Sequence, residues 1–150
     1  MIRKYKTMSV EKLKQLHHQN QPLMIANTWD AISAKSAEKA GLKVMGTSSH
    51  AIANILGHED GEVIPFDEML FIVEKIAKST SMFVSSDMEA GYSDDPKEVA
   101  NNVKQLVNVG VVGINLEDGL TKGKARELGD ASILAEKIKT IKAELKKEGK

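Results

Sequence analysis

Ser85, Asp87 and Glu89 occupy alternate positions at the end of the short run Met82 to Asp87 and just beyond it, and alternation across a strand sets all three side chains on one face. Two carboxylates held that close repel each other, and stripping water from them is costly unless a counter-charge is supplied. A hard divalent cation supplies it most simply. Magnesium takes few direct carboxylates and keeps several waters, which suits Asp87 as a direct ligand with Glu89, Glu117 and Asp60 acting directly or through water; manganese fits the same oxygen set. Asp60 lies in a loop and could equally be a surface residue. Glu59, Asp67, Asp94 and Asp95 stand in turns or at helix starts and read as caps or solvated acids.

Such a site needs a scaffold that brings chain segments to one rim, and the hydrophobic pattern describes one. Short apolar runs at Leu23 to Ala26, Val44 to Ser48, Met82 to Asp87 and Val111 to Leu116 alternate with helical patterns. Asp30 caps a helix from Ala31 to Ala40 that stops at Gly41. Ala51 to Leu56 is a brief helix, and Asp67 opens another with Met69, Leu70, Ile72, Val73, Ile76 and Ala77 at helical spacing. Asp94, Asp95 and Pro96 start a helix that ends at Gly110, and Asp130 or Ala131 starts a last one to Lys147 with Ile133, Leu134, Ile138, Ile141 and Leu145 on one stripe. A leading amphipathic helix at about 9–18 is expected, with Ser9 as its cap; the adjacent His17 and His18 point apart and read as a surface pair.

Alternating strands and helices predict a parallel sheet with ligands beyond the carboxyl ends of its strands. Polar residues gather there in every unit: Asn27, Trp29 and Asp30; Ser48, Ser49 and His50; Asp87 and Glu89; Glu117 and Asp118. In the fourth strand Gly113, Asn115 and Glu117 group against Ile114 and Leu116. One face is therefore small and polar and the other apolar, as in a barrel whose lumen is polar at one end.

Composition narrows the partners. The chain has 150 residues with 21 Lys+Arg against 21 Asp+Glu, 41% hydrophobic and 28% charged residues, so a single soluble domain over 1–150 is expected, with no overall attraction to nucleic acid or anionic lipid. No apolar run approaches the ~20 residues of a membrane helix, and MIRKYKTMSVEKLKQ lacks a signal-peptide core, so a cytoplasmic location is expected. The chain has no cysteine, which removes thiolate catalysis, disulfides and Cys-based zinc sites. GLTKGKA fails as a phosphate loop, being one residue short between glycines and carrying Ala125 where Ser or Thr would bind magnesium.

NTWDAISAKSAEKAG, GTSSHAIANILGHEDG, SSDMEAGYSDDP and VGINLEDG, in that order and spacing, resemble the isocitrate lyase and phosphoenolpyruvate mutase superfamily, closest to its mutase-like branch. The resemblance runs from about Asn27 to about Gly119. It implies a (β/α)8 barrel of the TIM type that binds Mg²⁺ and a small 2-oxo or 2-hydroxy carboxylate, with C–C or P–C bond chemistry through an enolate-like species. It implies Asp87 as principal metal ligand and Asp60, Glu89 and Glu117 as its partners, mostly through water. Ser48, Ser49 and the backbone towards His50 resemble the segment that holds the substrate carboxylate. Trp29, which taken alone reads as packing, joins them as a candidate substrate contact. Isocitrate and methylisocitrate lyases use a cysteine after the fourth strand that this chain lacks, and the mutase's Lys-Thr-Asn-type loop is not reproduced in GLTKGKARELGD. Ser93 and His50 also depart from the family pattern.

A full barrel of this kind needs ~250 residues. Four strands with their helices make its N-terminal half, so the chain is expected to be an incomplete lyase-type enzyme, or a non-catalytic metal-binding remnant or half-barrel subunit. Open parallel edges and a bare inner face are an aggregation hazard, which predicts a homo-oligomer that covers them.

Overall fold

The computed structural model describes residues 7–61, 63–122 and 125–149. Four parallel strands, β1 (Ile25–Thr28), β2 (Val44–Thr47), β3 (Phe83–Asp87) and β4 (Val111–Asn115), pair in chain order. Helices α2 (Ala31–Lys39), α3 (Ser49–Ile55), α4 (Phe66–Ser79), α5 (Pro96–Val109) and α6 (Ala131–Lys147) follow them, and α1 (Thr7–His17) leads. The strand-then-helix order read from the sequence is the order found.

The outer face of the sheet is apolar because the helices cover it. Met45, Val84 and Met88 are buried there with Ile52, Met69, Val73, Ile76, Val99, Val103 and Leu106. Each such aliphatic side chain contributes about 1.5–3 kcal/mol by leaving water. Strand β3 alternates half-buried Phe83, Ser85 and Asp87 with buried Val84 and Ser86, as its sequence parity requires. Strand β4 breaks strict alternation. Val111 pairs with Val84 but Gly113 pairs with Ser85, so Val112 is an extra residue. That bulge lets Val111 join the outer core while Gly113 faces Ser85 on the inner side.

The lower inner face is not polar. Leu13 and Leu16 of α1 pack on Val44, with Leu23, Phe83 and Val112 around them, so α1 lies across the inner face near the amino ends of the strands. The polar part of that face is confined to the carboxyl ends.

Several boundaries differ from expectation. Pairing in the first unit runs over Ile25–Thr28 instead of Leu23 to Ala26: Leu23 packs with the α1 cluster and Met24 is exposed, both ahead of the ladder. The shift is two residues, so face parity is preserved. Ser9 lies inside α1 and not at its cap, and α4 starts at Phe66 behind Pro65, with Asp67 in its first turn. A hairpin of β5 (Gly119–Lys122) and β6 (Ala125–Leu128) stands where no element was expected. Gly129 N donates to Asp118 O at 2.7 Å and closes its base. Residues 123 and 124, part of the rejected phosphate loop, lie outside the described residues. The α6 stripe also differs: Ile133 and Ile138 are 47% and 39% exposed, whereas Ile141 and Lys137 are buried.

The starts of α2, α5 and α6 are capped by Asp30, Asp95 and Asp130, as their sequences dictate. Asp30 Oδ1 accepts from Ser33 N at 2.6 Å while Ser33 Oγ accepts from Asp30 N at 3.1 Å, a reciprocal box at the start of α2. The Ser33 amide holds the Asp30 carboxyl below its ordinary value. Asp30→Ala is expected to cost about 1 kcal/mol in urea unfolding at neutral pH. Because the folded-state value is depressed, that contribution is full above the unfolded value of about 3.9 and fades as pH falls through the folded one. A mutant deficit that persists undiminished in acid would contradict this.

Candidate functional site

The carboxyl end of β3 is tied to its neighbours on both sides. Asp87 Oδ2 accepts from Ser49 Oγ at 2.8 Å and from Ser49 N at 3.2 Å, so the first residue of α3 holds this carboxylate. Asp87 N donates to Thr47 Oγ1 at 2.9 Å. On the other side Met88 N donates to Asn115 O at 3.0 Å and Glu117 N to Glu89 O at 2.7 Å, which carries the β3–β4 contact past the ends of both strands. Asp87, Glu89 and Glu117 therefore sit on directly bonded, adjacent backbone.

Glu89 reaches this rim differently from what strand alternation implied. The strand ends at Asp87, and Glu89 adopts φ +46°, with Tyr92 at φ +62° and Gly91 at φ +107° close behind. Left-handed backbone costs roughly 1–2 kcal/mol at a residue with a Cβ, and it persists where surrounding contacts determine it. Glu89 N donates to Asp87 Oδ1 at 3.3 Å, and the Glu89 side chain is buried whereas Asp87 is half-buried.

The second-unit residues divide their work. Ser48 Oγ accepts from Ala51 N at 3.3 Å and caps α3, which leaves its own O–H able to donate. His50 Nε2 lies 2.9 Å from Asn54 Nδ2, and His50 Nδ1 lies 3.5 Å from Asp60 Oδ2. Asp60 thus contacts His50, the residue after the serine that holds Asp87. Trp29 is 40% exposed just past β1, its N–H donating to Ser33 Oγ at 3.1 Å. Asn27 Oδ1 lies 3.1 Å from where a Cβ on Gly46 would stand, so a side chain at 46 would crowd it.

Among the described residues no three His, Asp or Glu side chains are gathered as a metal-holding group. Octahedral magnesium asks for less: one or two carboxylates, with water filling the rest. Asp87 fits that demand. Its three hydrogen bonds from Ser49 and Glu89 leave about one of a carboxylate's roughly four lone-pair positions, enough for a single bond to a cation. The donors at this rim are carboxylate oxygens, the hard kind that magnesium and manganese prefer.

Three contributors escaped the sequence reading. Thr47 was passed over because its parity puts it opposite the polar face, yet its hydroxyl meets the Asp87 amide. Asn102 of α5 donates to Gly91 O at 3.1 Å and Lys137 of α6 to Ala90 O at 2.8 Å. A lysine inside an apolar stripe is a signal that could have been noticed. At the opposite end of the strands a cavity of about 510 Å³ is lined by residues including Lys12, Lys43, Glu38, Ser81 and Phe83. Glu38 there already accepts from Ser81 N and Oγ, strapping α2 to the start of β3, and conserved chemistry in such folds belongs to the other end.

Comparison with known proteins bears on the fold and the family. An uncharacterized protein of Mycobacterium tuberculosis is 35% identical over 127 residues, covering 85% of this chain and 46% of that protein. The 3-methyl-2-oxobutanoate hydroxymethyltransferase of Thermotoga maritima is 28% identical over 114 residues, covering 75% of this chain and 42% of the enzyme. The chain spans about half the length of the curated relatives it matches. A crystal structure from Burkholderia cenocepacia, assigned as a phosphonomutase, superposes with TM-score 0.87 at 32% identity over 94% of this chain and 56% of that one. The match to the phosphoenolpyruvate phosphomutase family model covers residues 13–150 and so takes in every strand that builds the rim; the chain belongs to that family.

Proposed function

We propose that this chain carries the metal-binding part of a Mg²⁺-dependent, lyase- or mutase-type enzyme that makes or breaks a C–C or P–C bond in a small 2-oxo or 2-hydroxy carboxylate. The observation that carries this reading is the join of β3 and β4, where Asp87, gripped by Ser49, stands beside the Glu89–Glu117 backbone bond. Asp87 is the direct ligand, with Glu89, Glu117 and Asp60 acting mostly through water. When bound, the cation supplies Lewis-acid polarisation of substrate oxygens. Ser48, Ser49 and the backbone towards His50 offer donors to the substrate carboxylate, and Trp29, 40% exposed just past β1, is a further substrate contact. The Thermotoga relative is named for hydroxymethyl transfer with a 2-oxo acid, which supports the substrate class.

Calorimetric titration with Mg²⁺ and oxalate, a planar mimic of an enolate, tests this. Saturable heat is expected, with thermal stabilisation equivalent to about 2.7 kcal/mol at a hundredfold excess over Kd. Neither heat nor stabilisation would leave a non-catalytic remnant that keeps the fold alone.

A half-barrel subunit is the second reading, favoured by the sheet edges. Among the described residues β1 pairs only with β2 and β4 only with β3. Met24 and Ile25 beside one edge are 71% and 40% exposed, and Ile32 of α2 is 76% exposed. A second copy of this chain covering those edges would run as a dimer in sedimentation; a well-folded monomer at micromolar concentration would count against it.

A further inference from the structure

The buried stripe of α6 contains a residue that does not belong to it by hydrophobicity. Leu134, Lys137, Ile141 and Leu145 follow helical spacing, and Lys137 is only 4% exposed while its neighbour Ile138 is turned outward. Burying an ammonium in an apolar stripe is unfavourable unless its N–H groups are used, and a methionine of similar volume would be accommodated at such a position without that cost. The Lys137 Nζ donates to Ala90 O at 2.8 Å, and Asn102 of α5 donates to the next carbonyl, Gly91 O, at 3.1 Å. Two helices thus grip successive peptide carbonyls immediately after Glu89, in the segment where Glu89, Gly91 and Tyr92 all have positive φ.

We propose that Lys137, assisted by Asn102, is a positioning residue: it pulls the Ala90–Gly91 backbone against α5 and α6 and so holds Glu89 in its left-handed conformation at the rim. Both act on backbone carbonyls of the turn, whereas the proposed ligands are the rim carboxylates. The local hydrogen bonds alone, Gly91 N to Met88 O at 2.8 Å and Glu117 N to Glu89 O at 2.7 Å, close the turn but do not tie it to the helices. The consequence for metal binding rests on the function proposed above; the consequence for the backbone does not.

Lys137→Met removes the donors and keeps the volume, and Lys137→Arg restores donors. Without metal, hydrogen exchange at the Gly91 and Glu117 amides is expected to accelerate at least about tenfold in Lys137→Met, with core amides of β2 and β3 unchanged and the melting temperature no lower. Lys137→Arg should return both amides towards the wild-type rate. With Mn²⁺ as probe, affinity should fall about 10–100-fold in Lys137→Met, as for other groups that orient a ligand, and recover in Lys137→Arg. Exchange at Gly91 and Glu117 equal to wild type, or acceleration shared by every core amide, would overturn the proposal. Should wild type bind no Mn²⁺, the functional reading fails and the exchange arm still decides this one. Asn102→Ala, at a half-buried helix position, supplies the same exchange readout if Lys137→Met does not fold: faster Gly91 exchange supports the clamp and an unchanged rate refutes it.

Discussion

Gly91→Ala is expected to destabilise the folded chain by about 3 kcal/mol, combining backbone strain and overpacking. Gly91 sits at φ +107°, where a Cβ is disfavoured, and that Cβ would fall 2.7 and 3.0 Å from the two γ-carbons of Val99 and 3.3 Å from Leu116 Cδ1. Val99 is fully buried at the start of α5 and β-branched, so it has almost no rotamer in which to retreat. Gly41 provides the control. It has φ +87° but nothing within 4 Å of its Cβ position, so Gly41→Ala should cost only the strain part, about 1–2 kcal/mol. Urea unfolding of the two variants separates the parts, and equal losses would show that α5 yields to the added methyl. Because Gly91 also carries the carbonyl held by Asn102, its replacement should disturb the rim even where the chain still folds.

The second large effect is on the metal. Asp87→Ala is expected to weaken Mg²⁺ or Mn²⁺ binding by more than about 100-fold, beyond the 10–100-fold typical of groups that only orient a ligand. Ser49→Ala belongs in that milder range, since Ser49 Oγ bonds Asp87 Oδ2 at 2.8 Å and aims the carboxylate. Asp95→Ala should leave affinity within about twofold: Asp95 caps α5 by accepting from Lys97 N at 2.9 Å, and its loss costs about 1 kcal/mol of stability and no ligand. Calorimetry on the three variants orders them. Comparable affinity losses in Asp87→Ala and Asp95→Ala would mean that the cation is held elsewhere.

Much of the site was legible because it depends on short-range rules. The order of strands and helices follows from apolar runs, caps and glycine stops, and strand parity placed Ser85 and Asp87 opposite Val84 and Ser86, on the face that does not meet α4 and α5, as found. Glu89 was assigned to the rim by a rule that does not operate there, since the strand has ended and a left-handed turn delivers it. The hairpin at 119–128 was missed. Its strands are four residues each, without apolar alternation strong enough to outweigh the polar Thr, Lys, Arg and Glu they contain, so the pairing is made by the local ladder.

The sequence by itself determined the parallel βα order, the carboxylates at the strand ends and the family to which the chain belongs. These rest on periodicity, capping and motif spacing, all expressed within a few residues of chain. Only the tertiary structure decided that α1 lies across the lower inner face, that Ser49 grips Asp87, and that Lys137 is buried where Ile138 was expected. Those contacts join residues 38 and 47 positions apart, Ser49 with Asp87 and Ala90 with Lys137, and such pairs are set by how helices dock on the sheet. Leu134, Ile141 and Leu145 keep their places in the α6 stripe while its edge passes from Ile138 to Lys137, and local sequence rules do not register which edge residue the docked helix covers.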